Sequence, residues 1–198
     1  MKFISIGDSC NIKHQIDTNH IKEETLFFDW LMSDMDSVNI ILKNHNNIDD
    51  IININKLTIK TKNRSKSKIY FNFLPRMISM HDVKINYNQD DLKEFINKYK
   101  RRFNRIIDYI KNYNDKIIFL KYKHINIQQK NDFIKNIKSI NTNCNFKLIV
   151  FFKNDLQLDN DKYFININLK NYLIKNKKDW KTDQYNWKLI FKNIKNNY

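Results

Sequence analysis

Two cysteines, five histidines and a handful of acids and arginines set the chemistry open to this chain of 198 residues. Cys10 stands out, because it closes the stretch KFISIGDSC and follows the only glycine, Gly7. An apolar run of strand length, a turn through Gly7, Asp8 and Ser9, and a helix starting near Cys10 would present the thiol at a helix N-terminus. Unpaired N–H groups there favour an anion and lower a thiol pKa, as a nucleophile requires. Read as packing, the same cysteine is a small buried residue with no chemistry. A thiol nucleophile also needs a base within hydrogen-bond reach and a third group to orient that base. His14, four residues on, could share the helix face of Cys10, while His20 and His45 read as structural or surface residues. His81, beside Asp82, and His124, after the run KIIFLKY, are the remaining candidates. Asp29 lies among large aromatics in TLFFDWL, so it is expected to be partly buried and to need a partner. That partner is a histidine or an arginine. Asp8 would raise the pKa of a neighbouring thiol, which favours a turn or capping role for it.

The elements that would position these residues alternate along the chain. KFISIG reads as a buried strand, with a helix from Cys10 to about Asn19. DSVNIILKN reads as a short helix capped by Asp36 or Ser37. Residues 43–66 are polar and weakly patterned, a surface excursion with a strand at 56–60, and KIYFNFL is a strand stopped by Pro75. The clearest helix runs from Asp90 or Asp91 to about Tyr113, with Leu92, Phe95, Ile96, Tyr99, Phe103, Ile106, Ile107 and Ile110 on one stripe. Arg102 falls on that stripe, whereas Arg101 and Arg105 lie toward the polar side. An arginine so placed must find a carboxylate, such as Asp29, or a ligand anion. KIIFLKY, FKLIVFF and KYFINI read as further strands, QKNDFIKNIKSI as a helix, and the tail bearing Trp180 and Trp187 as a closing helix over about 183–196. Strands alternating with helices predict an α/β fold: three layers, a largely parallel sheet with helices on both faces, in one domain spanning 1–198. In such sheets, sites gather at the carboxyl ends of the strands.

Composition narrows the function. The formal charge is +15, but only five of the 36 basic residues are arginine, and alanine is absent while Lys, Asn and Ile abound. An AT-rich coding sequence favours those residues, so the lysine excess predicts a solvated basic surface with weak, non-specific polyanion binding. No window approaches the ~20 apolar residues of a membrane span. The N-terminus lacks a secretory pattern. Two cysteines make no disulfide framework, so a reducing, cytoplasmic compartment is expected.

In order, ISIGDSC, FFDWL, MHDV, KYKRRFNRI and KIIFLKY resemble the papain-like cysteine peptidase family found in large DNA viruses and bacteria. The resemblance covers residues 1–125 and, more loosely, the tail; an AT-rich viral genome would also explain the composition, and a viral origin would place the chain in a host-cell cytoplasm. It matches the family cysteine to Cys10, its Phe-Asp-Trp to Phe28, Asp29 and Trp30, its histidine to His81, and its basic helix to Arg101, Arg102 and Arg105. A thiol hydrolase is therefore expected, acting on a protein or peptide-like substrate. Cys10 is the nucleophile, His81 the base and Asp29 the orienting acid. N–H groups at the helix start would form the oxyanion hole, with Arg102, Arg101, Ser9 and Trp30 against the substrate. The alternatives are a non-catalytic interaction module, a basic nucleic-acid-binding protein, a transferase, or an esterase of GDS type with Ser9 as nucleophile. The last would need a histidine near the C-terminus, and none follows His124. One glycine excludes a Rossmann cofactor loop, and scattered Cys and His offer no metal-ligand spacing, so neither cofactor nor metal is expected.

Overall fold

The computed structural model describes residues 1–8, 10–19, 24–60, 66–84, 86–153, 158–174 and 181–198, the side chains of Lys66 and His81 excepted. Ser9, His20 and Trp180 lie outside the described residues. The architecture is α/β. Strands β1 (Lys2–Ser5), β6 (Ile117–Tyr122), β7 (Phe146–Phe152) and β8 (Phe164–Asn168) form a parallel sheet in the order β1-β6-β7-β8. Strands β2 (Leu31–Ser33), β3 (Leu57–Lys60), β4 (Lys66–Phe71) and β5 (Met77–Lys84) form a second, antiparallel sheet in the order β2-β5-β4-β3. The helices are α1 (Asn11–Asn19), α2 (Met35–Lys43), α3 (Ile48–Ile51), α4 (Gln89–Asn112), α5 (Ile127–Ile140) and α6 (Trp187–Asn197).

The parallel strands are apolar on both faces, because each face is covered. Phe3, Ile118, Leu120, Ile149, Phe151 and Ile165 pack with Ile12 and Ile16 of α1 and with Trp187, Ile190, Phe191 and Ile194 of α6. Their neighbours Ile4, Ile117, Phe119, Leu148, Val150 and Phe164 point the other way, into a core shared with α2, α4, α5 and the antiparallel sheet. The period of two in the sequence is thus the division between two apolar layers.

Helix α4 begins at a capping box formed by Asn88 and Asp91, and it buries Leu92, Phe95, Tyr99, Phe103, Ile106, Ile107 and Ile110. This stripe meets Phe27 and, on β4, Phe71 through edge-on and tilted ring contacts. Helix α2 is capped one turn earlier than its sequence suggests, by Asp34 accepting from the Ser37 amide. Of the stretch 43–66, the described residues 43–60 hold more regular structure than their composition predicts. They contribute α3 and β3 and bury Ile51 and Ile52. Strand β5 is broken by a bulge: Val83 faces Ser67 and Ser79 faces Ile69, so Met80, His81 and Asp82 stand opposite Lys68 alone.

Candidate active site

The site is built where β1 ends. Gly7 has φ +85°, and a Cβ there would stand 1.6 Å from Ser33 Oγ, so only glycine fits this crossing. Asp8 also adopts a positive φ, 82°. Its amide donates to the Ser33 carbonyl at 2.9 Å, and the buried Lys121 ammonium donates to the same oxygen at 2.8 Å. The Asp8 carboxylate is buried, 3.0 Å from Lys123 and 4.0 Å from Lys121. Desolvation, only partly offset by Asp8 and Asp34, pushes the Lys121 pKa down to about 8. These contacts pin the turn after β1 to the end of β2, and thereby fix where Cys10 emerges.

Cys10 is a free, half-buried thiol whose carbonyl accepts the first helical bond of α1, from the His14 amide at 3.0 Å. It therefore sits at the helix start, as its spacing suggests. Its pKa nonetheless lies above the ordinary range. Burial raises it most, and the carboxylates of Asp82 and Asp29 add to the rise, against a lowering contribution from its own backbone N–H. The lowering expected from the helix start is thus outweighed by burial. One expected oxyanion donor is also engaged, since the Ile12 amide donates to Asn11 Oδ1 at 2.8 Å.

Asp29 is buried, with 2% of its surface exposed, at the turn 27–30. Its Oδ2 accepts from the Leu26 amide at 2.8 Å and lies 3.5 Å from Lys13 Nζ, which also pairs with Asp17 at 2.8 Å. Burial outweighs these partners and raises the Asp29 pKa to about 6. The cation that meets it is thus a lysine of α1 and not an arginine of α4. Trp30, half-buried, holds a positive φ of 63°, a strained conformation for a bulky residue.

His81 lies on the bulge of β5, between Ser79 and Asp82; bulges of this kind re-aim side chains and cluster beside active sites. Asp82 is a hub. It accepts from Ser79 Oγ at 2.5 Å, Lys98 Nζ at 2.6 Å and the Tyr99 hydroxyl at 2.6 Å. Desolvation opposes its ionisation, but bonds from Lys98, Ser79 and Tyr99 prevail and hold its pKa below the usual carboxylate range. Burial and Asp82 raise that of Tyr99 well above its own range.

Arg102 lies 5.2 Å from the Tyr99 ring centroid, and its Nη1 is buried without a hydrogen-bond partner among the described residues. No salt bridge to Asp29 forms. Arg105 instead ties down the segment before FFDWL, pairing with Glu24 at 2.9 Å and donating to the Thr25 carbonyl at 3.3 Å. Arg101 is exposed and shares the outer face of α4 with Asn104, Arg105 and Asp108. His124 is exposed beyond β6, and His45 bonds the Leu42 carbonyl at 3.1 Å. Sequence reasoning missed Lys13, Lys98, Tyr99 and Lys121. Only Tyr99 left a signal, as an aromatic with a polar handle on a buried stripe.

Among the described residues, Cys10 at the start of α1 thus lies within electrostatic reach of Asp29 and Asp82, and His81 is the residue before Asp82 on the bulged strand. Residues 1–157 match the model of the family described as "Putative papain-like cysteine peptidase (DUF1796)". The chain belongs to this family. The match includes Cys10, Asp29, His81, Arg101 and Arg102, runs past the 125 residues over which the motifs are legible, and stops before β8 and α6. An "Uncharacterized protein R408" of Acanthamoeba polyphaga mimivirus is 26% identical over 223 residues, spanning 96% of this chain and 97% of that protein. No solved structure matches the chain. Among the described residues no helix is long and apolar enough to cross a membrane, and no group of three His, Cys, Asp or Glu could hold a metal ion.

Proposed function

We propose that the chain is a thiol hydrolase of peptidase type acting on protein or peptide-like substrates, with Cys10 as nucleophile and His81 as general base. The observation that supports this most is the placement of Cys10. It is half-exposed at the start of α1, on a turn locked by Gly7, Ser33 and Lys121, and within electrostatic reach of Asp29 and Asp82. A thiol held protonated needs a base at the moment of attack. In the proposed cycle His81 takes the thiol proton as Sγ bonds to the substrate carbonyl carbon. His81 then returns the proton to the leaving group as the scissile bond breaks, and water hydrolyses the thioester. Asp29 serves as the orienting acid, Trp30 and Ser9 shape the approach, and Arg102, with its buried unbonded Nη1, anchors the substrate, with Arg101 further out.

The test is labelling of the full chain with a panel of electrophilic cysteine probes, followed by mapping of the modified residue. The proposal expects modification at Cys10, abolished by Cys10→Ser, slowed at least tenfold by His81→Ala, and unaffected by Cys144→Ser. Labelling indifferent to His81→Ala, in a variant that melts like the parent, would refute the pair. The raised pKa of Cys10 favours a second reading, a non-catalytic interaction module, under which no probe would distinguish Cys10 from Cys144.

A further inference from the structure

At the amino-terminal edge of the parallel sheet, away from Cys10, a cavity of about 400 Å³ opens between the starts of β6, β7 and β8. Lys116, Lys138, Lys147 and Lys162 line it, together with Asn143 and Tyr163, and no carboxylate side chain does. Some lysines elsewhere meet acids: Lys13 pairs with Asp17, Lys98 with Asp82, Lys100 with Asp49, Lys123 with Asp8 and Lys130 with Asp161. None of the four cavity lysines has such a side-chain pair among the described residues.

Three of the four, Lys116, Lys138 and Lys147, are half-buried, so they are not simply a solvated fringe. Lys138 and Lys147 are held in place by internal carbonyls, which carry no charge to neutralise them. Lys138 donates to the carbonyls of Thr142 at 2.7 Å and Cys144 at 3.2 Å and Lys147 to that of Lys162 at 3.2 Å, while Lys116 meets the terminal backbone oxygen of Tyr198, a carboxylate oxygen in this chain. Lys138 and Lys162 also lie over the Tyr163 ring, at 5.2 and 5.4 Å. Each ammonium keeps further N–H donors. Burial and the nearby charge of Lys116 push the Lys147 ammonium below its usual range. The acid acting against that shift, Asp161, is already committed to Lys130 at 2.8 Å.

We propose that this cavity binds a small phosphorylated ligand, with Lys138, Lys147, Lys116 and Lys162 on the phosphoryl oxygens and Tyr163 beside the organic part. Its volume suits a small molecule. Convergent cations with no acidic side chain among them suit a group of more than one negative charge better than a single carboxylate.

Calorimetric titration of the full chain with sodium pyrophosphate at physiological salt tests this, with sodium acetate and a short single-stranded oligonucleotide as parallel arms. The proposal expects saturable single-site binding of pyrophosphate. It expects a loss of about tenfold or more in Lys138→Gln/Lys147→Gln, and less than about twofold in the exposed pair Lys84→Gln/Lys188→Gln. The exposed Lys162→Gln supplies a milder second variant should the first pair fail to fold, with an expected loss of about threefold. No saturable pyrophosphate binding, binding of the oligonucleotide alone, or equal losses in cavity and control variants would each overturn it. The last two would assign the effect to general lysine charge.

Discussion

Gly7→Ala is the substitution whose cost the structure specifies most closely. Two terms add. An L-residue at φ +85° carries a left-handed penalty of about 1–2 kcal/mol. A new Cβ placed 1.6 Å from Ser33 Oγ and 3.0 Å from Ser33 Cβ forces the buried end of β2 to move, an overpacking cost of about 1–3 kcal/mol. Together they predict a loss of about 2–5 kcal/mol, or a melting midpoint lowered by roughly 5–15 °C in a domain of this size. The two terms separate in a double-mutant cycle. Ser33→Gly removes both close contacts and leaves the Ser33 amide nitrogen at an ordinary 3.5 Å. Combining it with Gly7→Ala should therefore return the overpacking part and leave the backbone part, a coupling of about 1–3 kcal/mol by urea denaturation. A coupling below about 0.5 kcal/mol would refute the steric account of this turn, and with it the claim that Ser33 sets the position of Cys10.

Asp29→Asn probes the buried pair behind Cys10. The carboxyl titrates at about 6 when folded against 3.8 ordinarily, so its stabilising proton is fully bound at low pH and lost as pH rises through 6. Asn should erase a fall in stability of about 2.4 kcal/mol between pH 4 and 7, and an unchanged slope would show that another group carries it. Lys121→Met tests the opposite sign. With a folded pKa of about 8 against 10.5, this lysine contributes stability at high pH that disappears as pH falls through 8, so the parent should gain stability above pH 8 while the variant stays flat. For the thiol itself, alkylation of Cys10 should follow a midpoint above that of an ordinary cysteine, and Asp82→Asn should move it down while leaving Cys144 alone. A midpoint that does not respond would remove Asp82 from the site.

The residues that the sequence placed correctly are those governed by local periodicity. Strands β1, β6 and β7 and helix α4 announce themselves through apolar runs or a 3.6-residue stripe, and Gly7 through being the sole glycine. The antiparallel sheet is half legible: the strand at 56–60 and KIYFNFL correspond to β3 and β4, whereas β2 and β5 escape. MISMHDVK carries little alternation because the bulge at Met80–Asp82 interrupts its pleat, and the three residues of β2 are too short to show a period. The partners of Asp29 and Asp82 were hidden for a different reason. Lys13 and Lys98 look like two more lysines in a lysine-rich chain, and only the fold reveals that they are buried beside acids. The same holds for Arg102. Its place on the stripe was readable, but the absence of a carboxylate at its end was not.

The register of the parallel sheet also dictates an order of assembly. Lys2 pairs with Ile117 and Ser5 with Leu120, so the strand leading to Cys10 has no neighbour until more than half of the chain exists. The unit β6-α5-β7-β8, in contrast, closes through contiguous crossovers, and short loops close at lower entropic cost than long ones. The template for β1 is thus complete before β1 can dock, and the chain between must first fold its antiparallel sheet or leave it hanging from an open edge. Cys10 is consequently a late-maturing element. During refolding, pulsed amide exchange should find β1 still open after β6 and β7 have become protected, and simultaneous protection of the three strands would contradict this order.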